Sequence, residues 1–141
     1  MRLVLIPVLA AFAASHCTAQ KKDAAGCKDS PLVERFPGSV IAECTDKTDG
    51  SYTFIELGPN SESRTIAGEH HYTMYELPDS TGAPQVIRNL QIALKTAGYR
   101  FIRDNRHGGF TVHLGRTWID FDVTNTGNYK QNILIEPESK K

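Results

Sequence analysis

Apolar and polar residues alternate along most of the chain, and one segment has a different period. Between Pro84 and Gly98 the apolar residues recur every three or four positions, which predicts an amphipathic helix over 84–97. Proline suits the first turn of a helix and glycine suits its C-terminal end, so Pro84 and Gly98 bound this segment. The shorter alternating segments on either side of it predict β-strands.

About three strands are predicted before the helix and about four after it. They cover residues 39–44, 52–57, 72–77, 99–103, 110–114, 118–124 and 129–136. Asp49-Gly50 indicates a hairpin between the first two strands. Because the connections have hairpin length, the sheet should be antiparallel, and the helix should bury its apolar side on one sheet face. We therefore expect an α+β fold, a two-layer sandwich of one helix on an antiparallel sheet of about six or seven strands.

The N-terminus has the composition of a secretory signal peptide. Arg2 precedes an apolar run over residues 3–14, and small residues follow it. The run is too short to span a bilayer as a helix, which needs roughly 20 apolar residues. We expect cleavage after Ala19, with cleavage after Ser15 as the alternative, and a periplasmic or secreted protein with no transmembrane segment after cleavage.

A lipid anchor on Cys17 is the alternative to a freely exported protein. Lipoprotein signals usually have a small residue directly before the cysteine, and His16 stands there instead. The chain then divides as follows: a signal peptide over 1–19, an exposed lead-in over 20–31, a single α+β domain over 32–137 and a frayed tail over 138–141.

The net charge bears on the kind of partner, and the cysteine content bears on disulfide bonding. The chain has 16 basic and 16 acidic residues, so its neutrality gives no electrostatic reason to expect nucleic acid as a partner. Removal of the signal peptide leaves Cys27 and Cys44, an even pair in an exported protein, which predicts a disulfide between them. This bond closes a loop of about 17 residues and ties the N-terminal segment to the first strand, a stabilisation of roughly 3 kcal/mol.

The segment Lys28–Ser39, which reads KDSPLVERFPGS, resembles a segment of some bacterial envelope proteins. Those proteins carry a C-terminal OmpA-like peptidoglycan-binding domain, and Ser30 stands where their pattern often has histidine. Weaker matches follow along residues 23–136, at Tyr52 with Leu57-Gly58, Ile66-Ala67-Gly68, Tyr75 with Pro78, Arg88-Asn89-Leu90, Ala93-Leu94 and Ala97-Gly98-Tyr99. The resemblance implies a cell-envelope setting and an accessory domain without catalytic residues. It does not carry over peptidoglycan binding, because the domain responsible for it has no counterpart in this sequence.

The residues that could carry catalysis or bind a metal form no recognisable motif. His70 and His71 are adjacent on a strand and so point to opposite faces. Sites that combine His71 with His113, or His113 with Asp120 and Asp122, are conceivable, but zinc needs three or four converging ligands. Asp120 and Asp122 lie on the polar side of a predicted strand, where solvated charge is ordinary. We therefore expect no catalytic residue, no metal and no cofactor.

The residue types typical of binding surfaces suggest a different role. Arginine and aromatic side chains anchor many interfaces, and Trp118, Arg116, Tyr129 and Arg106 could cluster on an exposed sheet face. The leading hypothesis is a non-catalytic binding or scaffold module of the cell envelope, whose partner is an envelope protein or a cell-wall component. The alternatives are a small secreted hydrolase or metal-dependent enzyme, and a secreted inhibitor or regulator that uses a loop such as 105–109.

Overall fold

The computed structural model describes residues 21–54, 62–104, 108–123 and 127–140. The predicted signal peptide, both predicted cleavage points and Cys17 lie outside these residues. The elements in chain order are β1 (Val40–Phe54), β2 (Arg64–Glu76), α1 (Ala83–Thr96), β3 (Arg100–Asp104), β4 (Gly109–Leu114), β5 (Thr117–Val123) and β6 (Asn128–Ile135).

The strands form one antiparallel sheet of six strands in the order β1-β2-β6-β5-β4-β3. The predicted α+β fold, with one helix on an antiparallel sheet, is confirmed, and so is the helix to within one residue at each end. Gly98 follows the helix with a φ of 91°, a left-handed conformation that glycine adopts without steric cost.

The two strands predicted on either side of Asp49-Gly50 are one continuous strand, so the predicted hairpin there is wrong. β1 pairs with β2 along its length, and the register shifts between Lys47 and Gly50. A shift of this kind is a β-bulge, which bends a strand without ending it. Gly50 lies opposite Gly68, and a Cβ atom on Gly50 would lie 2.9 Å from Cβ of His70. The turn-like composition therefore marks a bend in a long strand.

One face of the sheet carries the main core. α1 buries Val86, Leu90 and Leu94 against apolar residues of β4, β5 and β6 on this face. The irregular segment over residues 21–39, here called the N-terminal strap, adds Val33 and Phe36 to the same core. The helix and the strap thus share the covering of a single sheet face, which we call the first face.

The opposite face, called the second face, is partly covered by the far end of the β1–β2 hairpin. β2 pairs with β6 only from Glu69 onwards, so its preceding residues extend beyond the sheet. The ring centroids of Phe54 and Trp118 lie 5.9 Å apart, although their strands are not neighbours. The hairpin end therefore folds back over β6 and β5 and buries a second, smaller core of Phe54, Ile66, Trp118 and Leu134.

Gly68 lies where β2 leaves the sheet, and the hairpin fold-back depends on its missing side chain. A Cβ atom there would lie 2.1 Å from the carbonyl oxygen of Ile135, which is backbone and cannot move aside. We expect Gly68→Ala to lower the free energy of unfolding by about 1–3 kcal/mol, as measured by chemical denaturation. Gly115→Ala is the matched control, because Gly115 also has a positive φ but no atom within 4 Å of the added Cβ. Equal losses from the two substitutions would contradict a close backbone contact at Gly68.

Candidate functional site

The N-terminal strap is tied to the sheet by a network centred on Arg35. The guanidinium contacts Asp23 at 2.7 Å and Asp29 at 2.7 Å, and Nη1 also donates to the carbonyl oxygen of Ser39 at 3.1 Å. Asp23 Oδ1 accepts a further bond from the Ile41 amide of β1 at 2.8 Å. Hydrogen bonds from Arg35 and then from the Ile41 amide lower the pKa of Asp23 to about 2. The carboxylate therefore stays ionised and holds the strap to β1.

Two stacked tyrosines lie beneath the strap. The rings of Tyr75 and Tyr129 have centroids 4.7 Å apart, and both side chains are fully buried. The Phe36 amide donates to the Tyr129 hydroxyl at 3.0 Å, and the Tyr75 hydroxyl donates to Asp29 Oδ1 at 3.0 Å. Burial raises the pKa of Tyr129 to about 12. Each hydroxyl thus bonds to the strap, so the strap is fixed to the first face along its length.

The predicted disulfide between Cys27 and Cys44 is confirmed. The Cα atoms lie 5.8 Å apart and the bond joins the strap to β1. The lead-in predicted over 20–31 is largely exposed from residue 21 onwards, yet it is covalently and ionically bound to the sheet. An exposed segment with this many attachments can form a rigid wall.

A cleft of about 370 Å³ lies between the strap and the sheet, here called the strap cleft. One wall is the strap, and the other is formed by the middle of β1 and β2 and by the end of β6. The lining residues are Lys28, Asp29, Ser30, Pro31, Leu32, Asp46, Glu69, His71, Thr73 and Ile135. Polar and charged side chains thus share the cleft with an apolar edge that includes Leu32, which is 39% exposed.

His71 bridges two carboxylates in the strap cleft. Its Nδ1 lies 2.7 Å from Asp46 Oδ1 and its Nε2 lies 2.7 Å from Glu69 Oε1. Ionised carboxylates only accept hydrogen bonds, so both ring nitrogens must donate, and the geometry is that of an imidazolium. Burial lowers the pKa of His71, but the hydrogen bonds to Asp46 and Glu69 outweigh it, and the net direction is upward.

Gln131 lies next to the strap cleft with its amide buried. The residue is 1% exposed and stands directly opposite Thr73, a residue of the cleft wall. Among the described residues, no group forms a hydrogen bond with its Oε1 or Nε2. An unsatisfied buried amide costs about 1–3 kcal/mol. The polar end of this side chain therefore lowers the free energy of unfolding.

The sequence-predicted binding residues do not form one exposed surface. Trp118 is only 6% exposed, and its Nε1 donates to Glu136 Oε2 at 2.9 Å. Arg116 is exposed and donates to the carbonyl oxygen of the same Glu136 at 2.9 Å, so these two residues are close. Tyr129 is buried on the first face beneath the strap, and its predicted place on an exposed face is wrong. Arg106 lies outside the described residues.

Two further side chains pack against the indole of Trp118. The ring of His113 stacks on the indole with centroids 3.9 Å apart, and the Arg64 guanidinium lies 5.0 Å from the indole centroid. The indole is thus enclosed by neighbours of its own chain. Because His113 lies on the second face and His71 in the strap cleft, the two histidines cannot share a metal ion. Within the described ranges, no group of three His, Cys, Asp or Glu side chains is placed to hold one.

Asp120 and Asp122 differ in their surroundings more than their spacing suggests. Asp122 is exposed, but Asp120 is buried and accepts hydrogen bonds from the Tyr52 hydroxyl at 2.8 Å and the Thr111 hydroxyl at 2.7 Å. Arg103 Nη2 lies 3.6 Å away. Burial raises the pKa of Asp120 despite these partners. The expectation that this carboxylate is solvated is wrong, because the fold-back of the hairpin covers it and uses it as an anchor.

Comparison with known proteins adds no relative to this description. No family model matches the chain, and no curated protein matches it. The resemblance to envelope proteins therefore stays a prediction. In the described part of the chain, no helix is long and apolar enough to cross a membrane.

The strap cleft is the site that sequence reasoning missed. Its charged residues come from three separate segments of the chain. The alternation of apolar and polar residues along β1 and β2 indicates which sheet face a residue lies on, but not which side chain it contacts. The one available signal was His71 two residues after Glu69, because residues two apart on a strand share a face.

The bridge at His71 should make stability depend on pH. A group whose pKa is raised in the folded state contributes its full stabilisation below its unfolded pKa, here 6.5, and the contribution is lost as the pH rises through the folded pKa. Because Asp46 and Glu69 are largely exposed, we expect a loss of only about 0.2–1 kcal/mol. Urea unfolding of wild type and His71→Gln on both sides of this range measures it. A wild-type protein whose stability rises over the range relative to His71→Gln would contradict the bridge.

The buried amide of Gln131 should lower the free energy of unfolding. We expect Gln131→Met, which keeps the length of the side chain and removes its polar atoms, to raise the free energy of unfolding by about 1–3 kcal/mol. Gln85→Met on the exposed side of α1 is the matched control, and it should be close to neutral. Thermal and urea unfolding of the two variants compare them. A destabilised Gln131→Met protein would show that the amide is satisfied within the fold.

Proposed function

We propose that this protein is an exported, non-catalytic binding domain of the bacterial cell envelope, periplasmic or secreted, with the strap cleft as its binding surface. The observation that carries the proposal is the Cys27–Cys44 disulfide. Such bonds persist in oxidising compartments and are rare in the cytosol of most organisms. A signal-peptide-like N-terminus on the same chain agrees with this setting.

The arrangement of the strap cleft favours binding over acid–base catalysis. A general base needs a free nitrogen or oxygen within reach of a substrate proton. Both nitrogens of His71 face carboxylates of the protein, and Asp29 is engaged by Arg35 and Tyr75. The strap wall is fixed by a disulfide and an ion-pair network, and a pre-organised wall reduces the entropy lost on binding.

Export and oxidation can be tested together. The full chain, expressed in a bacterium, is separated into cytosolic, periplasmic and membrane fractions, treated with an alkylating reagent and weighed by mass spectrometry. We expect a periplasmic or secreted protein that lacks its first 19 or 15 residues and in which Cys27 and Cys44 resist alkylation until reduced. Uncleaved protein in the cytosol with both thiols alkylated would overturn the proposal. A protein in the membrane fraction whose mass shows a lipid on Cys17 would indicate a lipid-anchored protein instead of a freely exported one.

The binding surface can be tested with two matched substitutions of exposed apolar residues. Leu32 lies at the strap cleft, whereas Ile92, which is 60% exposed, lies on the outer side of α1. Envelope extract is passed over immobilised wild type, Leu32→Ser and Ile92→Ser. We expect Leu32→Ser to lose the components that wild type and Ile92→Ser both retain. Equal recovery by all three proteins would remove the strap cleft as the binding surface.

A further inference from the structure

We infer that two copies of this protein pair through the exposed edge of β1, so that their sheets join across a two-fold axis at Thr45. The pairing uses residues 43–47, here called the edge segment. The inference goes beyond the proposed function and rests on neither export nor a ligand in the strap cleft. It is argued from the backbone of an edge strand and from the order of the charges along it.

β1 is the outermost strand on one side of the sheet, so only one of its two edges is paired. An edge strand presents a row of N–H and C=O groups that can pair with another chain. The strap uses this edge at Ile41, whose amide donates to Asp23 and whose carbonyl oxygen accepts from the Ala24 amide at 2.8 Å. Over the ranges that the structure describes, no further backbone hydrogen bond from outside the sheet reaches β1. The edge beyond Ile41 is therefore open to a second chain.

The edge segment is a regular stretch between two bulges. The register shifts between Ile41 and Glu43 and again between Lys47 and Gly50. Every residue of the segment is exposed except Cys44, which is half-buried. Because bulges bend a strand, they confine pairing with a second chain to these five residues.

Cys44 and Asp46 carry the backbone groups of the edge segment that point outward. Both backbone groups of Ile41 point away from β2, because they bond to the strap. Every second residue of an antiparallel strand repeats this orientation, and the bulge adds one residue before Glu43. Two antiparallel copies can therefore exchange hydrogen bonds between Cys44 of one copy and Asp46 of the other, and Thr45 then lies opposite its own counterpart.

This register brings opposite charges together. With Thr45 on the axis, Glu43 of each copy lies opposite Lys47 of the other copy. These are non-hydrogen-bonded positions, where facing side chains are closest. Ion pairs and paired threonines directly across two strands stabilise a sheet. The two-fold axis repeats the ion pair, so one dimer contains two of them.

The neighbouring registers lack this match. A shift by two residues in one direction places Asp46 opposite Asp46 of the other copy, and like charges directly opposite each other are destabilising. A shift in the other direction brings Lys47 opposite Ile41, where the strap already occupies the edge. The order of charges and the position of the strap thus favour one register.

Lys47 is the residue that makes the edge selective. A lysine on an edge strand normally prevents pairing, because a strand laid against it offers no opposite charge. Within the described ranges, no carboxylate forms an ion pair with Lys47. Glu43 is hydrogen-bonded to the Tyr72 hydroxyl, but an ionised carboxylate has about four acceptor positions and can also bind an ammonium. A second copy in the stated register supplies the charge that Lys47 lacks.

The test is sedimentation velocity of the oxidised protein, purified from the expressing bacterium, between about 10 µM and about 500 µM. Five paired residues bury less surface than a stable dimer needs, so we expect a reversible dimer that forms within this range. Lys47→Glu and Glu43→Lys should each weaken dimerisation by about tenfold or more, since each places like charges opposite each other twice. Lys140→Glu makes the same change in net charge as Lys47→Glu on an exposed part of the chain, and it should dimerise like wild type.

A mixture of the two charge reversals separates this interface from any other. Lys47→Glu has two acidic residues at the paired positions and Glu43→Lys has two basic ones, so each variant repels itself and attracts the other. We expect dimers in the equimolar mixture and in the double variant Glu43→Lys/Lys47→Glu. Wild type that stays monomeric over the whole range, a dimer that Lys47→Glu leaves intact, or folded variants that do not pair when mixed would overturn the inference.

Amide hydrogen exchange of wild type gives a second readout that needs no substitution. The amides of Cys44 and Asp46 should exchange more slowly at the higher protein concentration, because they donate across the new strand pair. Amides of α1 are the control and should not respond to concentration. Exchange at Cys44 and Asp46 that is the same at both concentrations would also overturn the inference.

Discussion

The attachment of the N-terminal strap to the sheet is the interaction on which the rest of the structure depends. The strap has no regular secondary structure, so its contacts with the sheet hold it in place. It is held by the Cys27–Cys44 bond, by Arg35 between two carboxylates and by the hydroxyls of Tyr75 and Tyr129. These contacts help to bury the two stacked tyrosine rings, and they form one wall of the strap cleft. The strap therefore contributes to the main core, forms one side of the strap cleft and carries one cysteine of the disulfide from which the compartment is proposed.

The second face is organised by a different constraint, which is the close approach of backbone at Gly68. The absence of a side chain lets the end of the β1–β2 hairpin fold over the sheet, and Tyr52 then bonds to Asp120. Trp118 is buried as a consequence. The residue that sequence analysis offered as a possible binding anchor is therefore part of a small core, and the proposed binding surface is the strap cleft.

The local sequence pattern predicted most of the helix and strands, whereas the strap cleft is formed by contacts between residues far apart in the sequence. The helix was predictable because Pro84, Gly98 and the spacing of its apolar residues agree with one another. The disulfide was predictable because the predicted signal peptide leaves two cysteines in the rest of the chain. The bend at Gly50 looked like a hairpin, since a bulge and a turn use the same residues. The partners of His71 and the burial of Tyr129 were not predictable, because they depend on which segments the sheet brings together.

The most direct measurement of the central claim is amide hydrogen exchange at Phe36 and Ile41. Both amides donate to side chains rather than to a neighbouring helix or strand, Phe36 to Tyr129 and Ile41 to Asp23. The account predicts slow exchange at both in the oxidised protein and a marked acceleration once the disulfide is reduced, while amides of α1 keep their protection. Rapid exchange at Phe36 and Ile41 in the oxidised protein would contradict it, because the strap would then not be held on the sheet.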